Sequence, residues 1–348
     1  MKQLQRKIYV IFLTVFIAMC NVLFLTSCKQ TSETSTENQI SEPISSNGFL
    51  LDTYITITLY DSQDQSILDG AFKLCEQYEN QLSRTKESSE IFKFNQMKEP
   101  KTMTVSETTA QLLERALFYC DRSHGSFDIT IAPVSSLWDF KSDDKKLPNP
   151  EELSANLQYI NYQNLQLNGT TLHSSNPNTQ IDLGAIAKGF IADKIKEYLL
   201  DCGVKSAIIN LGGNVLCVGN KPDGSPFYIG IQKPFEGEDE TIQVVKINDM
   251  SVVTSGVYER YFKLDDKVYH HILNPKTGYP YENHLLSVTI LSDKSVDGDG
   301  LSTSCFSLGL TEGIKLIESL DNTYAIFVTD DGQVHYTKGT EDFLDEEE

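Results

Sequence analysis

Several common chemistries are missing from this chain, and each absence removes a class of function. No Lys/Arg-rich block occurs and the formal net charge is −20, which argues against nucleic acid as the main partner. The seven cysteines and six histidines include no CxxC pair and no cluster with zinc-ligand spacing, which argues against a zinc site. G-x-x-x-x-G-K-[ST] is absent, so a P-loop is out. G-x-G-x-x-G and the G-x-S-x-G hydrolase elbow are absent as well.

What is present begins with an address. Lys2, Arg6 and Lys7 precede an uncharged, mainly apolar run of 18 residues, Ile8–Leu25. Leu25-Thr26-Ser27-Cys28 reads as a lipobox, with cleavage after residue 27 and acylation of Cys28. A retained membrane-spanning helix is the alternative. In both cases the globular part is expected at the outer face of the cytoplasmic membrane. Residues 28–47 are rich in Ser, Thr, Glu, Gln and Asn and read as a flexible tether. Residues 48–340 are expected to form the catalytic domain, and 341–348 a solvated acidic tail. Cys75, Cys120, Cys202, Cys217 and Cys305 are expected mainly as buried free thiols, with a disulfide as the alternative.

Periodicity mixes helices and strands. Tyr54–Tyr60 alternates as a half-buried strand, and Ile67, Ala71, Cys75, Tyr78 and Leu82 have helical spacing. Leu165–Leu172 reads as a hairpin turning at Asn168-Gly169. A helix is expected over Ile186–Leu200, preceding an apolar strand over Ser206–Leu211, and another helix over Leu301–Leu310. Strands pair locally and helices interrupt them irregularly. The expected class is therefore α+β, with mixed or antiparallel sheets and packed helices, rather than a doubly wound parallel sheet.

Three segments carry the chemistry. In Asp182–Gly189 a strand is expected to hand over to a helix, with Lys188 able to meet phosphate as a point charge. Ala185 could offer only its backbone carbonyl to a metal. The bland reading has Asp182 as a helix cap and Lys188 solvated. Asn210-Leu-Gly212-Gly213-Asn214 follows an apolar strand, where glycines let amides approach an anion, or form a plain tight turn. Asp299 and Thr303 are four apart, so a helix puts carboxylate and hydroxyl on one face, where oxygen donors suit Mg²⁺. The competing reading has Asp299 capping that helix. As an ion ligand on a surface cleft, Asp299 is expected to be dispensable for folding. A histidine of the pair His270-His271 could serve as a base beside phosphate.

The order of these segments resembles the ApbE family, the FAD:protein FMN transferases, over about residues 48–330. Ser83-Arg84, Ser89-Glu90-Ile91 and Asn95 look like its S-R…S-E-I…N segment. Gly125–Thr130, Pro133 and Trp138 are similar to G-x-F-D-x-T…P…W. Asp182–Gly189 matches D-x-G-A-x-A-K-G, Asn210–Asn214 matches N-x-G-G-N, and Thr254–Tyr258 matches T-S-G-x-Y. His271–Gly278 is similar to H-I-x-x-P-x-T-G, and Asp299–Thr303 matches D-x-L-S-T. Leu51-Asp52-Thr53 stands where the family has M-G-T, and Asn274 replaces an Asp.

The resemblance implies a T-fold-like architecture and an exported, Mg²⁺-dependent enzyme. Such enzymes move the FMN half of FAD to a Ser or Thr hydroxyl of an acceptor protein and release AMP. By position, Ala185, Asp299 and Thr303 would hold Mg²⁺. Leu51, Ser126, Phe127, Asp128, Asp182, Lys188, Gly212, Gly213, Ser255, His271 and Ile272 would line the FAD site, with His271 as the base. The implied acceptor is a flavin-carrying electron-transfer subunit. Two other readings stay open: an FAD pyrophosphatase with water as acceptor, and a lipoprotein that only carries flavin.

Overall fold

The computed structural model describes residues 42–345 except 100, 143, 238 and 239. The expected signal, the expected lipobox with Cys28 and most of the expected tether lie outside the described residues. Among the described residues no helix is long and apolar enough to cross a membrane.

Eight strands form one sheet in which every neighbouring pair is antiparallel. Their spatial order is Ile44–Leu50, Thr53–Leu59, Ala207–Leu211, Asn214–Val218, Ser251–Gly256, Leu285–Ser292, Thr323–Thr329 and Val334–Tyr336. With eight α-helices among the described residues, this is the expected α+β class.

Alternation assigns the two faces of the sheet. Ile55, Ile57, Leu59, Ile209, Leu211 and Ile290 are fully buried in the main core, each worth about 1.5–3 kcal/mol of apolar burial. The helices Gln65–Leu82, Ala187–Asp201 and Ser295–Leu308 contribute to that core. Cys217, Val252, Leu291 and Ile326 face the other way. They are covered by the hairpin Phe227–Gln232/Thr241–Ile247 through Phe227, Ile231, Val245 and Ile247. A third, aromatic cluster gathers Phe262 and Tyr269 around Trp138, whose Nε1 donates to the Gly278 carbonyl at 2.9 Å.

Four boundaries differ from the sequence reading. The first strand begins at Ile44, inside the expected tether; its residues there, Ser45, Ser46 and Asn47, are polar, so composition hides it. The acidic tail folds back as far as Asp345, whose N–H donates to the Val244 carbonyl at 3.0 Å, while Phe343 meets Tyr324 at 4.7 Å between ring centroids. In the early hairpin Asn168 pairs with Thr171, so Gly169, with φ +57°, takes the first turn position and Asn168 stays in the ladder. The late helix starts at Ser295, six residues before its expected start at Leu301: Asp193 accepts the Ser295 and Val296 amides, and Gly298 and Gly300 fit against Val253 and Tyr119 where a Cβ would collide. The five cysteines of the domain are free, and all but Cys202 are buried.

Candidate active site

The site forms at one end of the large sheet. The turn Leu51-Asp52 and the turn Gly212-Gly213 lie side by side there, and the start of the Ala187–Asp201 helix meets them. Lys188, in that helix's first turn, donates from Nζ to the Gly212 carbonyl at 3.4 Å.

Asp182 does not cap this helix; the N-cap position falls to Ile186, with no side-chain cap. The Asp182 carboxylate instead accepts the Gly184 amide at 2.9 Å, the Ser135 hydroxyl at 3.1 Å and Arg84 Nε at 3.0 Å. Asn95 braces the same loop by exchanging two hydrogen bonds with the backbone of Ile181. The early S-R…N segment therefore shapes the Asp182 turn. Phe190 donates to the Ile186 carbonyl, but Gly189 donates to Asp299 Oδ2 at 2.6 Å. The amide one turn after Ala185 is thus drawn away, leaving the exposed Ala185 carbonyl outside the helical ladder.

Asp299 lies inside the Ser295–Leu308 helix rather than at its cap, and is 5% exposed. Its Oδ1 accepts Asn214 Nδ2 at 2.9 Å. Burial raises its pKa, opposed by the charge of Lys188 and by these hydrogen bonds. The surface cleft expected for Asp299 is corrected by this burial: removing the carboxylate strands two buried donors. One turn on, Thr303 Oγ1 lies 3.2 Å from Ser255 Oγ, which is also 2.8 Å from Ser302 Oγ. A carboxylate, a hydroxyl and a freed carbonyl make a hard oxygen set that fits Mg²⁺ chemically. No group of three or more His, Cys, Asp or Glu suited to a metal occurs among the described residues.

The glycine pair is a two-residue hairpin turn, with φ +63° at Gly212 and +85° at Gly213. A Cβ on Gly212 would fall 2.0 Å from Thr53 Oγ1, so glycine is required there by contact as well as by φ. The Gly213 amide donates to Asn210 Oδ1 at 3.1 Å, which corrects the expectation of an open anion donor at that position.

His270 ends the strand Lys267–His270 and is buried and satisfied: Nε2 is 3.0 Å from the Tyr281 carbonyl and Nδ1 accepts the Ile272 amide at 3.3 Å. Burial pushes its pKa down to about 4. His271 differs. Its Nδ1 is buried without a hydrogen-bond partner. Burial pushes its pKa down to about 3, aided by the charges of Arg260, His270 and Lys188. Arg260 accepts the His271 amide on its carbonyl at 3.1 Å, and its guanidinium is held by Asp52 at 3.5 Å.

Other expected lining residues are placed one layer back. Phe127 and Ile272 are buried in the main core. Asp128 is 8% exposed and accepts Thr130 N–H, the Thr130 hydroxyl and Tyr162 N–H, so its carboxylate holds its own loop instead of facing a ligand. The Ser126 carbonyl accepts the Tyr281 hydroxyl at 2.9 Å. Leu51 takes φ +54°, a strained value for a branched side chain, and packs against the core. Sequence reasoning missed the bracing roles of Arg84 and Asn214 and the proximity of Arg260 to His271. Arg84 and Asn214 sat in quoted motifs, but their partners lie far away along the chain.

The family model for the ApbE family matches residues 51–327. The chain belongs to the ApbE family. An FAD:protein FMN transferase of Klebsiella pneumoniae is 37% identical over 282 residues, covering 80% of this chain and 87% of that protein. One from Treponema pallidum is 33% identical, covering 79% and 80%. Among solved structures, the ApbE protein of Thermotoga maritima superposes with a TM-score of 0.80 at 28% identity, covering 88% of this chain and all of that one. The flavin transferase ApbE of Vibrio cholerae gives 0.78 at 26% identity, covering 87% and 99%. Membership in the ApbE family makes this chain a transferase, and the shared architecture agrees with the α+β reading.

Proposed function

We propose that this ApbE-family member transfers the FMN half of FAD to a Ser or Thr hydroxyl of an exported or membrane acceptor protein, in a Mg²⁺-dependent reaction that releases AMP. FAD is the donor, and the protein works at the outer face of the cytoplasmic membrane through a lipid on Cys28. The observation that carries the reading is the meeting of two kinds of group in one place. Asp299, Thr303 and the freed Ala185 carbonyl form an oxygen set, beside Lys188 and the unpartnered Nδ1 of His271.

The pyrophosphate of FAD is a dianion, and Lys188 and Arg260 supply the positive field that receives it. A Mg²⁺ held by Ala185, Asp299 and Thr303 would neutralise charge on the phosphates. The acceptor hydroxyl oxygen forms a bond to the FMN phosphorus, the anhydride P–O bond breaks, and AMP leaves with the bridging oxygen. His271 takes the hydroxyl proton on its ring. Free His271 is a weak base, because two cations and burial hold it neutral. The arriving dianion offsets those cations and lifts its basicity toward the working range. Positioning of the hydroxyl supplies much of the remaining rate.

The test is the purified protein with FAD and Mg²⁺, with and without chelator and an acceptor carrying an exposed Thr. AMP release and the acceptor's mass gain are followed together. Equal amounts of AMP and flavinylated acceptor, both lost on chelation, are expected. FAD turnover to free FMN with an unmodified acceptor would replace this reading by hydrolysis.

A further inference from the structure

The Ser295–Leu308 helix carries Asp299 and Thr303, yet its own N-cap residue, Lys294, makes no side-chain cap. The cap is supplied from another helix. Asp193 Oδ1 accepts the Ser295 amide at 2.8 Å and Oδ2 accepts the Val296 amide at 2.9 Å. Asp193 lies one turn after Gly189, which donates to Asp299, and Ser295 lies one turn before Asp299. The two helices are thus tied at two levels. Gly189 permits this closeness: a Cβ there would sit 2.2 Å from the Ser295 carbonyl oxygen. A third tie closes the frame, because Asn214 accepts the Ser295 hydroxyl at 2.7 Å while donating to Asp299.

We propose that Asp193 is the positioning residue of this site: by capping the Ser295–Leu308 helix from the Lys188 helix, it fixes the depth and rotation at which Asp299 and Thr303 meet the cation. This rests on the reading of Asp299 as a cation ligand. A bidentate carboxylate at a helix start satisfies two orphan amides and complements the helix dipole. Both effects pin the first turn, and Asp299 sits one turn further along. The placement is costly to keep: burial raises Asp193 to about 6, with Asp297 adding to the shift and Lys196 opposing it. Groups that orient a metal ligand from behind commonly change affinity by about 10–100-fold.

The experiment compares full-length wild type, Asp193→Asn, Ser295→Ala, Asp299→Ala and a control, Val245→Ala, which perturbs the core on the far face of the sheet. Two readouts are taken: Mn²⁺ affinity by electron paramagnetic resonance without FAD, and hydrogen exchange at the Gly189 amide. Asp193→Asn is expected to weaken Mn²⁺ about 10-fold or more and to speed Gly189 exchange by a similar factor. Ser295→Ala, a milder change that keeps the Asp193 cap, is expected to weaken Mn²⁺ about 3-fold. Val245→Ala should lower the Tm yet leave both readouts at wild-type values. If Asp193→Asn matches Val245→Ala in both readouts while Asp299→Ala loses Mn²⁺, the clamp is wrong and the ligand reading stands. If Asp193→Asn does not fold, Ser295→Pro takes its place, because it deletes the amide that Asp193 Oδ1 accepts at a first-turn position where proline is tolerated; a Mn²⁺ affinity no weaker than that of Ser295→Ala then overturns the clamp. Wild-type Mn²⁺ affinity in Asp299→Ala overturns the ligand reading and this proposal with it.

Discussion

Two buried carboxylates, Asp128 and Asp299, look equivalent along the chain and behave differently in the fold. Each follows glycine-bearing sequence, the first is expected to line the FAD site and the second to hold Mg²⁺, and burial raises the pKa of both. The Asp128 region is closed on itself. Its three donors come from Thr130 and Tyr162, two of them only two residues away. The Asp299 region is assembled from distant segments, through Gly189 and Asn214, with Lys188 close enough to act on its charge. Around it lie the Ala185 carbonyl, outside the helical ladder, and His271 Nδ1, buried without a hydrogen-bond partner. A buried acid surrounded by satisfied partners is structural. One that shares its surroundings with an unpaired buried group is the candidate for a site where a ligand would complete the hydrogen bonding.

The largest effect that could break this contrast is on transfer. Asp299→Ala is expected to abolish it, by more than about 10³-fold, and to cost about 2 kcal/mol of stability from the stranded Gly189 and Asn214 donors. Initial rates of flavinylation together with urea denaturation measure both. Retained activity with Mg²⁺ would put Asp299 in the same structural class as Asp128. His271→Ala should slow transfer by about 10²–10⁴-fold, with little change in FAD affinity. A loss of only a few-fold in single-turnover assays would demote His271 to packing.

Asp128→Ala should do the opposite of Asp299→Ala. It leaves the Thr130 and Tyr162 amides unpaired and should cost about 3 kcal/mol, while Mn²⁺ affinity at a permissive temperature stays at the wild-type value. The acid limb of stability sharpens the contrast further. His271 is held near 3 in the fold against 6.5 when unfolded, so the unfolded chain binds more protons in that window. Its contribution is present above about 6.5 and is lost as pH falls toward 3. Urea midpoints should therefore fall less steeply on acidification in His271→Ala than in wild type. Parallel curves would show that His271 is not held neutral. The smallest expected effect lies at the edge of the site. Asp52→Asn removes partly exposed ion pairs to Lys141 and Arg260 and should cost under about 1 kcal/mol, with reduced dependence on salt.

Local pattern alone gave the helix over the Ile186 region, the alternating strand around Tyr54, the apolar strand from Ser206 and the α+β class, because periodicity and apolar runs are written in consecutive residues. Motif order pointed to Asp299, Thr303, Ala185 and His271. Neighbouring residues could not reveal that Asp182 is held by Arg84, that Gly213 gives its amide to Asn210, or that Asp128 is already satisfied. Nor could the pattern separate His270 from its neighbour: both are apolar-flanked imidazoles, and only the Tyr281 carbonyl, brought in by the following turn, satisfies one and leaves the other. Which side chains exist, and how often apolar ones recur, is a property of the chain. Whether a polar atom is paired depends on segments that meet only after folding, and that pairing determines which of two similar residues is free to act.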